Sequence, residues 1–348
     1  MSRRPSAQIG AIVPRRLGAQ IDTARRQRRR WCLAALALAA AAGATRAAPA
    51  AAQDAQDTPR GVPQLVALAP APGPPGPGDD ARRAVAIGAA GEVYEPDGKG
   101  AWVRRQRITT ASAISAAARA GDAVVALGEG VVYRLAPNGW SAIRLAQKDK
   151  AKLAGGAAAV AAVGRQLLAL DRLAGGEPAK LGTVPGPILQ VGAGKSIVIA
   201  TDRGLFRLTG QALTPIAAPR RARQLVGDQW AIVDGGAAEL RTGKTTAWPG
   251  GTTVEAAAVG PDDRLIVIAR ITGKLELLAV RAGKLERAPM DAVGGGVPVG
   301  VAADRAGRVV VAFRDGRIAV RDGGAWTTVS VGEALPPPRP GAPPAASR

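Results

Sequence analysis

The chain has 348 residues and a formal charge of +20, with no histidine and one cysteine, Cys32. The missing imidazoles remove the commonest general base and the commonest metal ligand together. A single thiol permits neither an internal disulfide nor a thiolate metal site.

The first fifty or so residues do not read as part of a fold. Arg25-Arg26-Gln27-Arg28-Arg29-Arg30 is a dense basic block. It runs into Trp31–Gly43, thirteen residues dominated by alanine and leucine, and then into small residues near Ala50 and Ala52. A charged region, a short apolar run and a small-residue cleavage site mark a secretory signal peptide, here residues 1–52. As a helix the apolar run would rise only about 20 Å against a bilayer core of about 30 Å, so it predicts cleavage rather than a stable membrane span. Arg28-Arg29-Arg30 before Trp31-Cys32-Leu33 also resembles a twin-arginine signal, so both the Sec and the twin-arginine route fit. The expected location is periplasmic or extracellular. Removing residues 1–52 takes away Cys32 and ten arginines against one aspartate, which lowers the charge by nine to +11. That excess is scattered through turns. It suits a solvated surface, and also a weak pull on anionic envelope partners.

Residues 53–62 read as a linker. Pro63–Pro70 (PQLVALAP) is apolar enough for a strand, and the Pro/Gly-rich stretch 71–82 that follows reads as a long loop within the same unit, since neither residue type suits a sheet interior. From Ala84 a pattern repeats. Val85-Ala86-Ile87 is followed nine residues on by Tyr94 and seventeen on by Trp102. Val124-Val125-Ala126 leads to Tyr133 and Trp140, Ile197-Val198-Ile199 to Phe206, Ala231-Ile232-Val233 to Leu240 and Trp248, and Val309-Val310-Val311 to Ile318 and Trp326. Four of the five tryptophans outside the leader thus fall sixteen or seventeen residues after an apolar run, which chance would rarely produce. Gln166–Leu170 and Leu265–Ile268 keep the apolar run without the tryptophan.

The last unit states the pattern most fully. Val297–Val331 holds four β-prone runs separated by Arg305-Ala306-Gly307, Arg314-Asp315-Gly316 and Asp322-Gly323-Gly324. Such turns supply the positive φ that tight hairpins need. The alanine-rich runs Ala111–Ala120, Ala157–Val163 and Val254–Val259 favour helix by propensity, but each precedes an apolar run. They are therefore expected to form the innermost strands, where neighbouring units crowd and small side chains fit. Residues 332–348 are Pro-rich and predict a disordered or polyproline tail.

Ala90-Gly91-Glu92-Val93-Tyr94 and Asp202-Arg203-Gly204-Leu205-Phe206-Arg207-Leu208 leave a turn with a glycine followed closely by an apolar–aromatic pair. Here the sequence resembles the repeats of bacterial β-propellers of the regulator, quinoprotein-like and WD40-like kinds. The resemblance covers residues 63–331 and implies an all-β fold of four-stranded blades about an axis. The apolar runs recur about every 37 residues, close to the period of a propeller blade. That spacing counts seven blades; six or eight also fit, because the third unit is degenerate.

Chemistry is sparse. Gly192–Ser196 and Gly243-Lys244-Thr245 look like fragments of a phosphate loop, but the required first glycine is Leu189 or Ala238, so both are expected to be hairpin turns. The aspartates stand mostly in turns, where Asx geometry explains them, and Asp262-Asp263 is the one acidic pair within a turn. No catalytic, cofactor or metal ligand set emerges. Trp102, Trp140, Trp248, Trp326, Tyr94, Tyr133 and Phe206 are expected to be structural repeat positions. Among the longer loops, 71–82, 147–156 and 290–296, the second carries Lys148, Lys150 and Lys152 and is the candidate partner-binding loop. The expectation is a monomeric, non-catalytic exported binding module for another envelope protein or an anionic polymer, without specificity for nucleic acid. The alternative is a propeller enzyme or quinoprotein-like cofactor binder using axial carboxylates.

Overall fold

The computed structural model describes residues 63–70, 84–108, 113–120, 123–136, 139–145, 151–155, 159–174, 177–217, 219–304 and 307–332. The expected signal peptide, the 53–62 linker, the 71–82 loop, Lys148, Lys150 and the tail from 333 onward lie outside them.

The described chain is all-β. The first sheet is β1 (Leu65–Pro70), β2 (Ala84–Gly88), β3 (Glu92–Pro96) and β4 (Trp102–Arg107). The second is β5 (Ala116–Ala120), β6 (Ala123–Leu127), β7 (Val131–Ala136) and β8 (Gly139–Arg144). The third is β9 (Lys152–Ala154), β10 (Val160–Val163), β11 (Gln166–Ala174) and β12 (Glu177–Thr183). The fourth is β13 (Ile188–Ala193), β14 (Ile197–Thr201), β15 (Gly204–Thr209) and β16 (Ala212–Ile216). The fifth is β17 (Gln224–Val226), β18 (Trp230–Val233), β19 (Gly236–Glu239) and β20 (Thr245–Ala247). The sixth is β21 (Thr252–Val259), β22 (Leu265–Ile271), β23 (Lys274–Arg281) and β24 (Lys284–Pro289). The last is β25 (Pro298–Ala303), β26 (Val309–Phe313), β27 (Arg317–Asp322) and β28 (Ala325–Gly332). Each is an antiparallel meander paired in chain order. The first and last are joined by a short parallel bridge between β4 and β28, Val331 opposite Trp102 and Gly332 opposite Val103.

The apolar core explains the sequence pattern. It divides into clusters, each shared by two sheets consecutive in the chain, and one further cluster joins the last sheet to the first. Every second strand is therefore packed on both faces. In β2, Val85 and Ile87 enter the cluster shared with the second sheet, while Ala84 and Ala86 enter the one shared with the last. A strand buried on both faces reads as a continuous apolar run rather than as an alternation. The first strands β1, β5, β9, β13, β17, β21 and β25 neighbour one another in sequence, and β25 returns to β1, so the innermost strands close a ring.

The small residues have their place in that ring. Alanines of β5 and β21 sit in first strands, as tertiary crowding requires despite their helix propensity. The run Ala157–Val163 departs from expectation: Val160–Val163 is β10, a second strand, and the first strand of that sheet is Lys152–Ala154. The run at Gln166–Leu170 is accordingly a third strand, β11. Its leucines outweigh the alanines of β10 in apolarity, which made the third unit look degenerate. The C-terminal sheet reaches one residue further than expected, through Gly332.

Two ends of the ring can be distinguished from the strand directions. The hairpin end carries the first-to-second and third-to-fourth turns. The crossover end carries the second-to-third turns and the connections from one sheet to the next.

Candidate functional site

The first strands enclose an axial cavity of about 790 Å³. Its lining is dominated by alanine, glycine and valine from all of these strands, with Arg119, Lys195 and Asp228 as the charged side chains. Glycines let adjacent backbones meet there. A Cβ on Gly192 would collide with the Gly227 carbonyl oxygen, and one on Gly300 would lie 2.7 Å from the Leu68 nitrogen and 2.8 Å from its Cβ.

At the hairpin end, three neighbouring turns are tied side to side. The Asp228 carboxylate, in the β17–β18 turn, is buried and accepts from the Ser196 N–H at 2.7 Å and the Ser196 hydroxyl at 2.8 Å, both through Oδ2. Ser196 closes the β13–β14 turn, where the Gly194 N–H donates to the Ser196 carbonyl, so the Gly192–Ser196 stretch is a hairpin turn. Gln229 Nε2 donates to Asp263 Oδ1 at 2.6 Å, and Trp230 Nε1 to the Asp263 carbonyl at 2.8 Å. Asp262 and Asp263 both adopt left-handed backbone, with φ of 62° and 59°. Aspartate tolerates that region better than most residues. The acidic pair therefore serves as a turn linking the fifth and sixth sheets. Among the described residues no group of three or more acidic side chains gathers in a way that could hold a metal ion.

The repeat residues divide by position. Tyr94, Tyr133 and Phe206 stand on third strands opposite Ala86, Ala126 and Ile199; both tyrosines are buried and Phe206 is half-buried. Trp102, Trp140 and Trp326 stand at or near the start of fourth strands, at the hairpin end, and each packs into a cluster shared with the neighbouring sheet rather than within its own. Trp102 is 3% exposed, whereas Trp326 is half-buried and donates its Nε1 to the Pro289 carbonyl at 3.1 Å. Trp248 differs. It follows β20, and its N–H donates to the Gly235 carbonyl at 2.8 Å in the β18–β19 turn, at the crossover end. The strands of the fifth sheet are short, so the same sequence spacing carries the ring to the opposite end. Trp230 was not singled out by spacing, yet it is 4% exposed and belongs to the core between the fifth and sixth sheets.

The expected lysine loop is shorter than its sequence suggests. Lys152 begins β9, and its ammonium donates to the Ile188 carbonyl at 3.0 Å, tying the third sheet to the fourth. Lys148 and Lys150 fall in the stretch between β8 and β9. The third long loop, from Met290, is pinned by two arginines. Arg270 Nη2 donates to the Gly296 carbonyl at 2.9 Å, and Arg317 Nη1 to the Val293 carbonyl at 2.8 Å. The Arg317 guanidinium also pairs with Asp315 and lies 5.1 Å over the Phe313 ring, a cation–π arrangement.

No family model matches the chain, and no curated protein matches it in sequence. Solved structures match it in fold. A streptogramin B lyase superposes with a TM-score of 0.54 at 12% identity, over 74% of this chain and 93% of that one. The WD40 propeller domain of Doa1 does so with a TM-score of 0.54 at 9% identity, over 76% and 94%. PorZ, a surface component of the type-IX secretion system of Porphyromonas gingivalis, gives 0.53 at 14% identity, over 80% of this chain and 39% of PorZ. The architecture is that of a β-propeller. At these identities the likeness defines the fold and leaves open the family within it.

Proposed function

We propose that this chain is an exported seven-bladed β-propeller that acts as a binding module for another envelope protein or an anionic polymer. The observation that supports this most is the distribution of chemistry. The axial cavity is lined mainly by small apolar side chains, and its one carboxylate among the described lining residues, Asp228, is held by two hydrogen bonds from Ser196. Several exposed cations, Arg165, Arg203, Arg220 and Arg221 among them, stand on turns and connections, where a rigid scaffold ordinarily presents its recognition groups. An exported location agrees with the leader-like residues 1–52 and with the surface location named for PorZ. No helix among the described residues is long and apolar enough to cross a membrane.

The enzyme reading draws on the likeness to streptogramin B lyase. A glycosidase-type site needs two facing carboxylates, and any acid–base site here must work without histidine. Sustained turnover of a substrate by the purified chain would replace the binding reading.

Two measurements test the proposal. N-terminal sequencing of protein from the envelope fraction is expected to begin near Asp54; residues 25–50 intact on a cytoplasmic protein would remove the export step. For the loop, Lys148→Ser with Lys150→Ser is the informative pair, because Lys152 also holds the fourth sheet. Pull-downs from envelope extract are expected to recover less partner with the pair changed, and the deficit should grow at low salt, where screening is weakest. Identical recovery and identical salt dependence would take this loop out of the interface.

A further inference from the structure

The first strands β1, β13, β21 and β25 share an irregularity. Each carries a β-bulge opposite the fourth and fifth residues of its second strand, near the crossover end, so that one extra residue is inserted: Val66, Leu189, Glu255 and Val299. Bulges at repeated positions re-aim a side chain and behave as built features rather than defects. Three of the four extra residues have a use within the fold. Val66 packs on the cluster between the first and second sheets, and Val299 on the one between the last and first. Glu255 accepts from Arg270 Nε at 3.2 Å. Leu189 has none: it is 49% exposed, the one exposed large apolar side chain among the described residues.

The surroundings of Leu189 are basic. Its neighbour Ile188 accepts from Lys152 through its carbonyl, and the Ile188 N–H donates to the Gly164 carbonyl at 2.9 Å. Arg165, next in that turn, is exposed and donates its Nε to the Val184 carbonyl at 3.0 Å. The β14–β15 turn adds Arg203, and the connection from β16 to β17 adds Arg220 and Arg221, all at the crossover end and exposed. Arg203, Arg220 and Arg221 have no ion-pair partner among the described residues. Among the described residues, the acidic groups at this end of these sheets are Asp202, beside Arg203, and Asp234, which pairs with Arg223. Among the described residues, cations therefore outnumber carboxylates at the end of these sheets where Leu189 is exposed.

We propose that the crossover-end surface of the third to fifth sheets, with Leu189 inside a rim of Lys152, Arg165, Arg203, Arg220 and Arg221, docks an acidic polypeptide segment that carries one apolar side chain. This rests on the binding-module reading above and names its partner chemistry. The cations steer and orient the acidic flanks, and burial of Leu189 supplies a contact that salt does not weaken. A purely electrostatic ligand would leave the leucine unused.

The test uses the full mature chain and two labelled synthetic peptides, one of glutamates around a central leucine and one of glutamates alone, read by fluorescence anisotropy at low and moderate salt. The leucine peptide is expected to bind more tightly than the all-glutamate one. Changing Arg203, Arg220 and Arg221 together to serine is expected to weaken both by about tenfold or more and to flatten the salt dependence. Leu189→Asn is expected to abolish the difference between the peptides while preserving the salt dependence. Arg105→Ser with Arg107→Ser, on the exposed part of β4, controls for loss of positive charge elsewhere on the surface and is expected to change little. Equal weakening by the control pair, or peptide binding indifferent to all three variants, overturns the proposal. So does sedimentation of the parent with phosphatidylglycerol vesicles at peptide concentrations that give no anisotropy change. If the parent captures a partner from envelope extract but these variants capture it equally, this surface is wrong and the binding-module reading stands. If the parent captures nothing and binds neither peptide, both fall.

Discussion

Trp102→Ala is expected to lower the unfolding free energy by about 3–5 kcal/mol, the range for removing a large aromatic side chain from a core. Its indole is 3% exposed and packs with Leu65, Leu68, Val310, Ile318 and Val331 in the cluster joining the first sheet to the last. That seam is peculiar. Every sheet is built from four strands consecutive in the chain, so no strand crosses from one terminal sheet into the other. Closure rests on side-chain packing, on the Leu65 N–H donating to the Arg314 carbonyl at 3.1 Å, and on the short bridge from Val331 and Gly332 to Trp102 and Val103. The residue before it, Ala101, is set by the β3–β4 turn, where Asp97 Oδ1 accepts from the N–H groups of Lys99 at 2.7 Å and Ala101 at 3.1 Å. The Lys99 N–H is the main reason that the Asp97 carboxyl titrates below its usual range. Trp326→Ala, at the seam between the sixth and last sheets, is expected to cost less, about 1–2 kcal/mol, since its ring is only half-buried against that core and adds one hydrogen bond to Pro289. Urea midpoints measure both. Equal losses for the two variants would mean that the closing seam has no special weight. A fall in the m-value with Trp102→Ala would show the ring opening before the remaining sheets unfold.

The strands were legible because the architecture buries second strands on both faces, leaving continuous runs such as Val309–Phe313 with glycine turns between them. The same signal misled where apolarity and strand order diverged, at β10 and β11. Spacing locates tryptophans along the chain but not along the strands, so Trp248 stands at the opposite end of the ring and Trp230, which opens a second strand, falls outside the repeat. The candidate site was scarcely legible at all. Its lining comes one short segment at a time from strands a blade apart, and the Ser196–Asp228 bond spans 32 residues with no motif to announce it. Leu189 illustrates the limit. In sequence it is an ordinary strand residue before Gln190; only the register of β13 against β14 shows that a bulge sets it out of the ladder.

Gly300→Ala should destabilise the protein by about 1–3 kcal/mol, the usual effect of forcing an extra carbon into a packed interior. The added Cβ would lie 2.7 Å from the Leu68 nitrogen and 2.8 Å from the Leu68 Cβ, so backbone must yield rather than a mobile side-chain tip. Gly300 is absent from the glycines with positive φ, so the substitution carries no conformational strain of its own and the effect isolates the close approach of β25 to β1. Gly182→Ala is the matched control: it also lies in a strand, β12, without positive φ, and its Cβ would meet nothing within 4 Å. There the narrower unfolded ensemble of alanine should dominate, giving a change of about zero to a slight gain of up to about 1 kcal/mol. Combining Gly300→Ala with Trp102→Ala decides how the seam is organised. Both residues act on the junction of the first and last sheets, one at the axis and one at the outer strand, and both surround Leu68. A double variant less destabilised than the sum of the singles would show that either change alone already loosens the junction. Strict additivity would mean that the axial and outer halves of the seam are held independently, and that the parallel bridge at Trp102 survives when the inner strands are forced apart.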